Sequence, residues 1–163
     1  MINGKTTVTT KDNSAKLLAG LKRVATMEVF VGIPEEKAGR RAEGINNAQL
    51  VFIHTNGSPL KKIPKRPVIE PAIEAEDNKE AISKELKLAT QAMLNNNPVE
   101  ANRHLKLAGM LGQNAARAWF TDPRNNWPPN KPETIARKGS DRPLIDTGAM
   151  RKAIVYVVKE END

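Results

Sequence analysis

Only two short stretches of this chain read as β-strands, and they lie at opposite ends of it. Met27–Ile33 (MEVFVGI) sets Met27, Val29, Val31 and Ile33 on one side with a period of two, and Pro34 ends the run. Ala153–Val158 (AIVYVV) is the longest apolar run in the chain. A lone strand leaves a row of backbone donors and acceptors unpaired, so the two ends are expected to pair with each other. The order of elements is helix, strand, helix, long helix, long helix, strand. That order predicts an α+β fold, with a small antiparallel sheet of the first and last strands packed against two long helices and shorter ones.

The helical segments follow from apolar spacing and punctuation. Leu17, Leu18, Leu21 and Val24 recur at helical spacing within Ser14–Thr26. Asn46–Asn56 reads as a compact helix stopped by Gly57, with Pro59 beyond it. Pro71 suits a first helical turn, and a long helix is expected from there to about Leu94, broken by Asn95-Asn96-Asn97-Pro98. Val99–Phe120 is the second long helix, with the face Leu105, Ala108, Gly112, Ala115 or Ala116, and Trp119. Gly109 and Gly112 each cost roughly 1 kcal/mol against alanine in a helix, which points to close packing there. Residues 1–12 read as a flexible arm, 13–163 as one domain, 35–44 as an exposed loop, and 122–146 as a loop. That last loop holds five of the eleven prolines, Pro123 to Pro143.

Composition narrows the chemistry. There is no cysteine, which excludes disulfides and thiolate sites, and no apolar run approaches the ~20 residues of a membrane helix. With no secretory leader visible either, the chain is expected to be soluble, in a reducing cytoplasm. His54 and His104 have no second ligand at metal-binding spacing. Glu70, Glu74, Glu76, Asp77 and Glu80 suit a helix N-terminus better than a carboxylate pair. No glycine-rich phosphate loop exists, and Ser140 with Asp141 has no histidine nearby in sequence. The expectation is a non-enzyme without cofactor or metal.

Charge is more informative. Lys and Arg number 26 against 19 Asp and Glu, a net charge of +7, which favours an acidic partner such as nucleic acid. Lys61, Lys62, Lys65 and Arg66 cluster around Pro64. Arg137, Lys138, Arg142, Arg151 and Lys152 surround the stretch GSDRPLIDTGAM at 139–150. These nine are the candidate contacts to a neighbouring subunit or to DNA; the competing reading is a solvated rim. Pro64, Pro67 and Pro143 stiffen the loops, pushing Ile63, Arg66 and Arg142 toward extended backbone. In the second loop Gly139 permits a reversal, Leu144 and Ile145 anchor to the core, and Asp146 or Thr147 caps a one-turn helix at Gly148–Lys152.

Four stretches in order carry a resemblance: Val29–Pro34 (VFVGIP), Asn47–Gly57 (NAQLVFIHTNG), Ile63–Pro67 (IPKRP) and Thr134–Gly148 (TIARKGSDRPLIDTG). Together they resemble the bacteriophage tail-completion or neck protein family, the small virion proteins grouped with minor tail protein Z. One departure is Val68, where the family more often has an aromatic residue. The resemblance implies a structural virion protein at the neck, present in the host cytoplasm during assembly. It further implies a homo-oligomeric ring, hexameric in the virion, whose partners are the head-connector and tail-tube proteins. DNA in the channel is a further expected contact, without sequence preference. The alternative, motivated by charge, is a free-standing DNA-binding protein; a hydrolase or nuclease using Glu74 and Asp77 ranks third.

Overall fold

A computed structural model describes residues 12–39 and 44–160. The arm expected over 1–12 lies, apart from Asp12, outside those residues, as does part of the loop expected at 35–44. Strand β1 (Met27–Gly32) pairs antiparallel with β2 (Val155–Glu160), in the register Met27↔Glu160, Val29↔Val158, Phe30↔Val157 and Gly32↔Val155. The first and last strands thus form one two-stranded ribbon, as their isolation in the sequence requires. The second strand begins two residues later than its apolar run, because helix α8 (Ala149–Ala153) takes up Ala153.

Helix α6 (Pro98–Ala118) is the centre of the fold. It opens with Pro98 at its first position, and the Asn97 side chain accepts from the Glu100 amide at 3.2 Å. Its small residues do what their spacing suggests. A Cβ added to Gly109 would collide with the Tyr156 ring, and one added to Gly112 would stand 2.9 Å from Val31 Cγ2. The two glycines therefore let the ribbon lie directly on the helix backbone. On another side α6 packs along α5 (Glu76–Leu94), joined to it by a turn in which Asn96 takes φ 56°. His104, buried on α6, holds this pair together: its Nδ1 donates to Glu85 Oε2 at 2.6 Å. Arg117 anchors the far end, donating to the carbonyls of Ile154 (2.8 Å) and Lys152 (3.0 Å).

Three expectations are corrected. The first long helix is two helices, α4 (Ile69–Glu74) and α5, parted at Ala75, whose ψ of 129° is extended. The break has no glycine or proline to announce it. The Asn78 side chain donates from Nδ2 to the Ala72 carbonyl at 2.8 Å, satisfying an acceptor freed by the interruption. The region 35–44 contains a short helix, α2 (Glu35–Ala38), whose Ala38 is buried. The loop 122–146 contains α7 (Pro132–Lys138), with Pro132 at its start and Gly139 at φ 67° closing it, plus a 3-10 turn at Pro123–Asn125. Helix α7 is too short for its apolar period to register, although its end signals stand in the sequence.

Helix α1 (Ser14–Ala25) lies against α5, and Leu17, Leu18 and Leu21 remain about half exposed. The main core gathers Val51 of α3 (Asn47–Asn56), Val68, Ala72, Ala115, Ala116, Trp119, Phe120, Met150 and Ile154. Val68 is fully buried and belongs to this core.

Replacing Gly109 by alanine is expected to destabilise the fold by about 1–3 kcal/mol through overpacking against Tyr156, despite alanine's better helix propensity. Gly32→Ala, whose Cβ would meet nothing within 4 Å, should leave the urea midpoint nearly unchanged under the same conditions.

Candidate functional site

The basic residues at 61–66 and 131–138 are distant in sequence and meet across one groove. Helix α3 begins with a capping box, in which the Asn46 side chain accepts from the Gln49 amide and the Gln49 side chain accepts from the Asn46 amide, both at 2.9 Å. It ends at Gly57 (φ 72°), whose amide donates to Ile53 O at 2.7 Å. A tight hairpin follows. Ser58 and Ile63 exchange two backbone hydrogen bonds of 2.9 Å, and Lys62 at the turn takes φ 51°. That turn presents Lys61 and Lys62 to solvent.

The chain then runs extended through Pro64 and Pro67, and Arg66 turns inward. Its amide donates to the His54 carbonyl at 2.6 Å. Its guanidinium donates from Nε (3.0 Å) and Nη2 (2.7 Å) to the Pro128 carbonyl, and from Nη2 to the Pro129 carbonyl at 2.9 Å. Trp127 reciprocates, its indole N–H donating to the Pro67 carbonyl at 3.0 Å while its ring meets Phe120 edge to face. Arg66 is 6% exposed. It was expected to face a partner, and it serves instead as a clamp inside the molecule. Two consecutive proline carbonyls explain this: neither residue's nitrogen carries a hydrogen, so the segment offers acceptors without donors, and a planar guanidinium fork suits them.

The second wall comes from the proline-rich segment. Asn130, also buried, donates to the Asp141 carbonyl at 3.0 Å, and Lys138 folds back to donate to the Arg142 carbonyl at 2.7 Å. Lys138 is therefore a second correction, because its ammonium is occupied within the loop. Burial lowers its pKa, the charges of Arg66 and Arg137 add to the effect, and Asp146 opposes it. In the stretch 139–150, Leu144 takes φ 57° and, with Ile145, packs against the core as expected. The N-cap of α8 is Gly148 (φ 75°), without a side-chain cap, and neither Asp146 nor Thr147 takes that position; Thr147 Oγ1 instead accepts from the Ala149 amide at 3.3 Å in a local turn. Among the described residues Asp146 makes no hydrogen bond, so the loop-structuring role considered for it falls to Thr147.

Between these walls lies an open groove of about 580 Å³. Lys61, Lys62 and Arg66 line one side, Lys131 and Arg137 the other, and His54 its floor; no Asp or Glu stands among its lining residues. A smaller cavity of about 220 Å³ shares His54, Arg66 and Arg137, and Asp146 is its one acid. Of the nine basic candidates, Lys61, Lys62, Arg66 and Arg137 line the groove and Lys138 the adjoining cavity. Lys65, Arg142 and Lys152 are exposed and Arg151 half-buried, all outside both linings. Lys131 and His54 went unrecognised. Lys131 lies six residues before Arg137 and was hidden by the extent assumed for its loop, while His54 carried no spacing signal.

The environment of His54 favours its neutral form. Burial lowers its pKa and the Arg66 charge lowers it further, and its Nδ1 has no hydrogen-bond partner. The acidic cluster is dispersed among cations: Glu74 pairs with Lys79 and Asp77 with Arg124, each at 2.8 Å. Arg124 also grips Asp122, and its hydrogen bonds to Asp122 and Asp77 raise its pKa; the same guanidinium lies over the Trp119 ring. Among the described residues no group of three or more His, Asp or Glu side chains is placed to hold a metal ion, and no helix is long and apolar enough to cross a membrane. No protein-family model matches the chain, and neither a curated protein nor a solved structure matches it.

Arg66→Met should lower stability by about 2–4 kcal/mol by stranding two carbonyls, and Arg66→Lys should restore only part, since an ammonium cannot reproduce the fork; urea unfolding measures both. His54 gives a pH signature. Its folded pKa lies below the unfolded value of 6.5, so its contribution is complete above that pH and is lost as pH falls through it. Wild-type stability should drop between pH 7 and 5 by up to about 1.4 kcal/mol per pH unit more steeply than that of His54→Gln.

Proposed function

We propose that the chain is a structural component of a tailed-phage virion, a tail-completion or neck protein that forms a ring and joins the tail to the DNA-filled head. The observation that carries this reading is the convergence of the four ordered stretches. Val31 and Ile33 from the first, Leu50 and Val51 from the second, and Leu144 and Ile145 from the fourth all pack in one core. Val68 and Ile69, which follow the third directly, join them there. The third is tied to the second by the Arg66 amide, and its guanidinium reaches the segment leading into the fourth. Motifs that cohere in space as well as in order support a shared architecture more strongly than a string of separate matches.

A second feature supports assembly. Among the described residues nothing covers the outer face of the ribbon: Glu28, Phe30, Val155, Val157 and Lys159 line an open depression of about 530 Å³, and Phe30 is 49% exposed. A two-stranded ribbon has two open edges besides, an arrangement that natural proteins usually cover. Helix α1 offers a separate apolar stripe, Leu17, Leu18 and Leu21. Two different uncovered surfaces on one subunit suit a head-to-tail contact, which closes into a ring. In this reading neighbouring copies cover both.

A charge on the ribbon face tests the contact. Phe30→Glu should weaken self-association at least about tenfold, seen by sizing over a concentration series, with the circular dichroism of the subunit retained. Phage assembled without the protein should accumulate full heads and separate tails; normal joined particles would refute the reading.

A further inference from the structure

Five cations share the groove between the 58–63 hairpin and helix α7, and no acid lines it. Like charges gathered by folding repel one another, so such an arrangement stands at a cost unless an anion relieves it. Arg66 sharpens the point. Its charge is buried against neutral carbonyls, and no carboxylate appears among its hydrogen-bond or ion-pair partners. Some cations outside the groove are paired with acids: Lys79 with Glu74, Arg103 with Glu100, and Arg124 with Asp77 and Asp122. None of the five groove cations has such a pair among the described residues.

We infer that this groove binds the phosphate backbone of nucleic acid, without reading the bases. Lys61, Lys131 and Arg137 are exposed and supply the direct phosphate contacts, while Arg66 contributes a fixed positive field from beneath. No Phe, Tyr or Trp stands among the groove's lining residues, and the His54 ring is half-buried in its floor, so the groove presents no exposed ring for base stacking. Its donors are flexible ammonium groups and one free guanidinium, which suit repeated phosphates along an open trough. Thr134 adds a hydroxyl to the same wall. The net charge of +7 steers a polyanion toward it. An acidic protein segment would meet the same charges but would also need apolar anchors, and few line this groove. The inference rests on the groove alone and is independent of ring formation.

The test uses the full chain and a labelled DNA duplex, with binding followed by fluorescence anisotropy as salt rises from about 50 to 200 mM. Wild-type affinity should fall steeply across that range. The triple variant Lys61→Gln, Lys131→Gln, Arg137→Gln removes three exposed contacts. It should bind more weakly at every salt concentration, with a slope of log affinity against log salt shallower by about 2 to 3. Lys16→Gln, Lys22→Gln, Lys84→Gln removes the same net charge outside the groove and should retain the wild-type slope. No binding at about 50 mM salt, or equal losses in the two triple variants, would overturn the assignment. So would a glutamate-rich peptide that displaces DNA as effectively as unlabelled duplex. Sizing separates this inference from the ring reading. If the groove variant loses self-association yet keeps its DNA affinity, the groove is a subunit contact and the inference fails.

Discussion

The guanidinium of Arg66 holds together the half of the molecule that carries the groove. Two consecutive prolines, 128 and 129, carry carbonyl acceptors but no N–H donors of their own. Arg66 supplies them through Nε and Nη2, while Trp127 returns a bond to the Pro67 carbonyl. The two proline-stiffened segments therefore lie face to face. The hairpin with Lys61 and Lys62 and the helix with Arg137 take their positions from that contact.

The same clamp shapes the electrostatics. Burial lowers the proton affinity of both His54 and Lys138, and the Arg66 charge adds to that effect at each. One side chain thus stabilises the fold through hydrogen bonds and biases the groove toward anions through its field. These roles draw on different properties of arginine, the planar fork and the permanent charge, so lysine would serve each incompletely. On the opposite flank the constraint is steric. Gly109 and Gly112 let the ribbon rest on α6, which leaves its other face, with Phe30 and Val157, open to a neighbour.

Much of this was legible where the signal is local. The ends of α3 follow from Asn46, Gln49 and Gly57, and the glycines of α6 announced a close approach that Tyr156 and Val31 provide. The division of the long helix at Ala75 was not legible, because IEPAIEAEDNKE has helix-compatible residues throughout and the compensating bond from Asn78 is tertiary in its consequence. Helix α7 went unread because its seven residues span two turns, too few for an apolar stripe. The basic clusters were visible as clusters. Their division into clamp, internal brace, groove wall and solvated surface was not, since a lysine or arginine is written identically in each setting.

By itself the sequence determined the α+β class, the pairing of its two isolated strands, and the presence of excess positive charge near two proline-rich segments. Those properties depend on neighbours within a few residues, or on there being no other strand to choose. Only the tertiary structure decided that Arg66 points inward while Lys61 and Arg137 face one another across open solvent. That choice depends on which carbonyls arrive beside the guanidinium, and the carbonyls come from 62 and 63 residues away. The turn GSDRPLIDTGAM shows both sides of the division. Its glycines, Thr147 and the Lys138 bond to the Arg142 carbonyl act within a few residues, whereas Leu144 and Ile145 settle against a core assembled from distant segments.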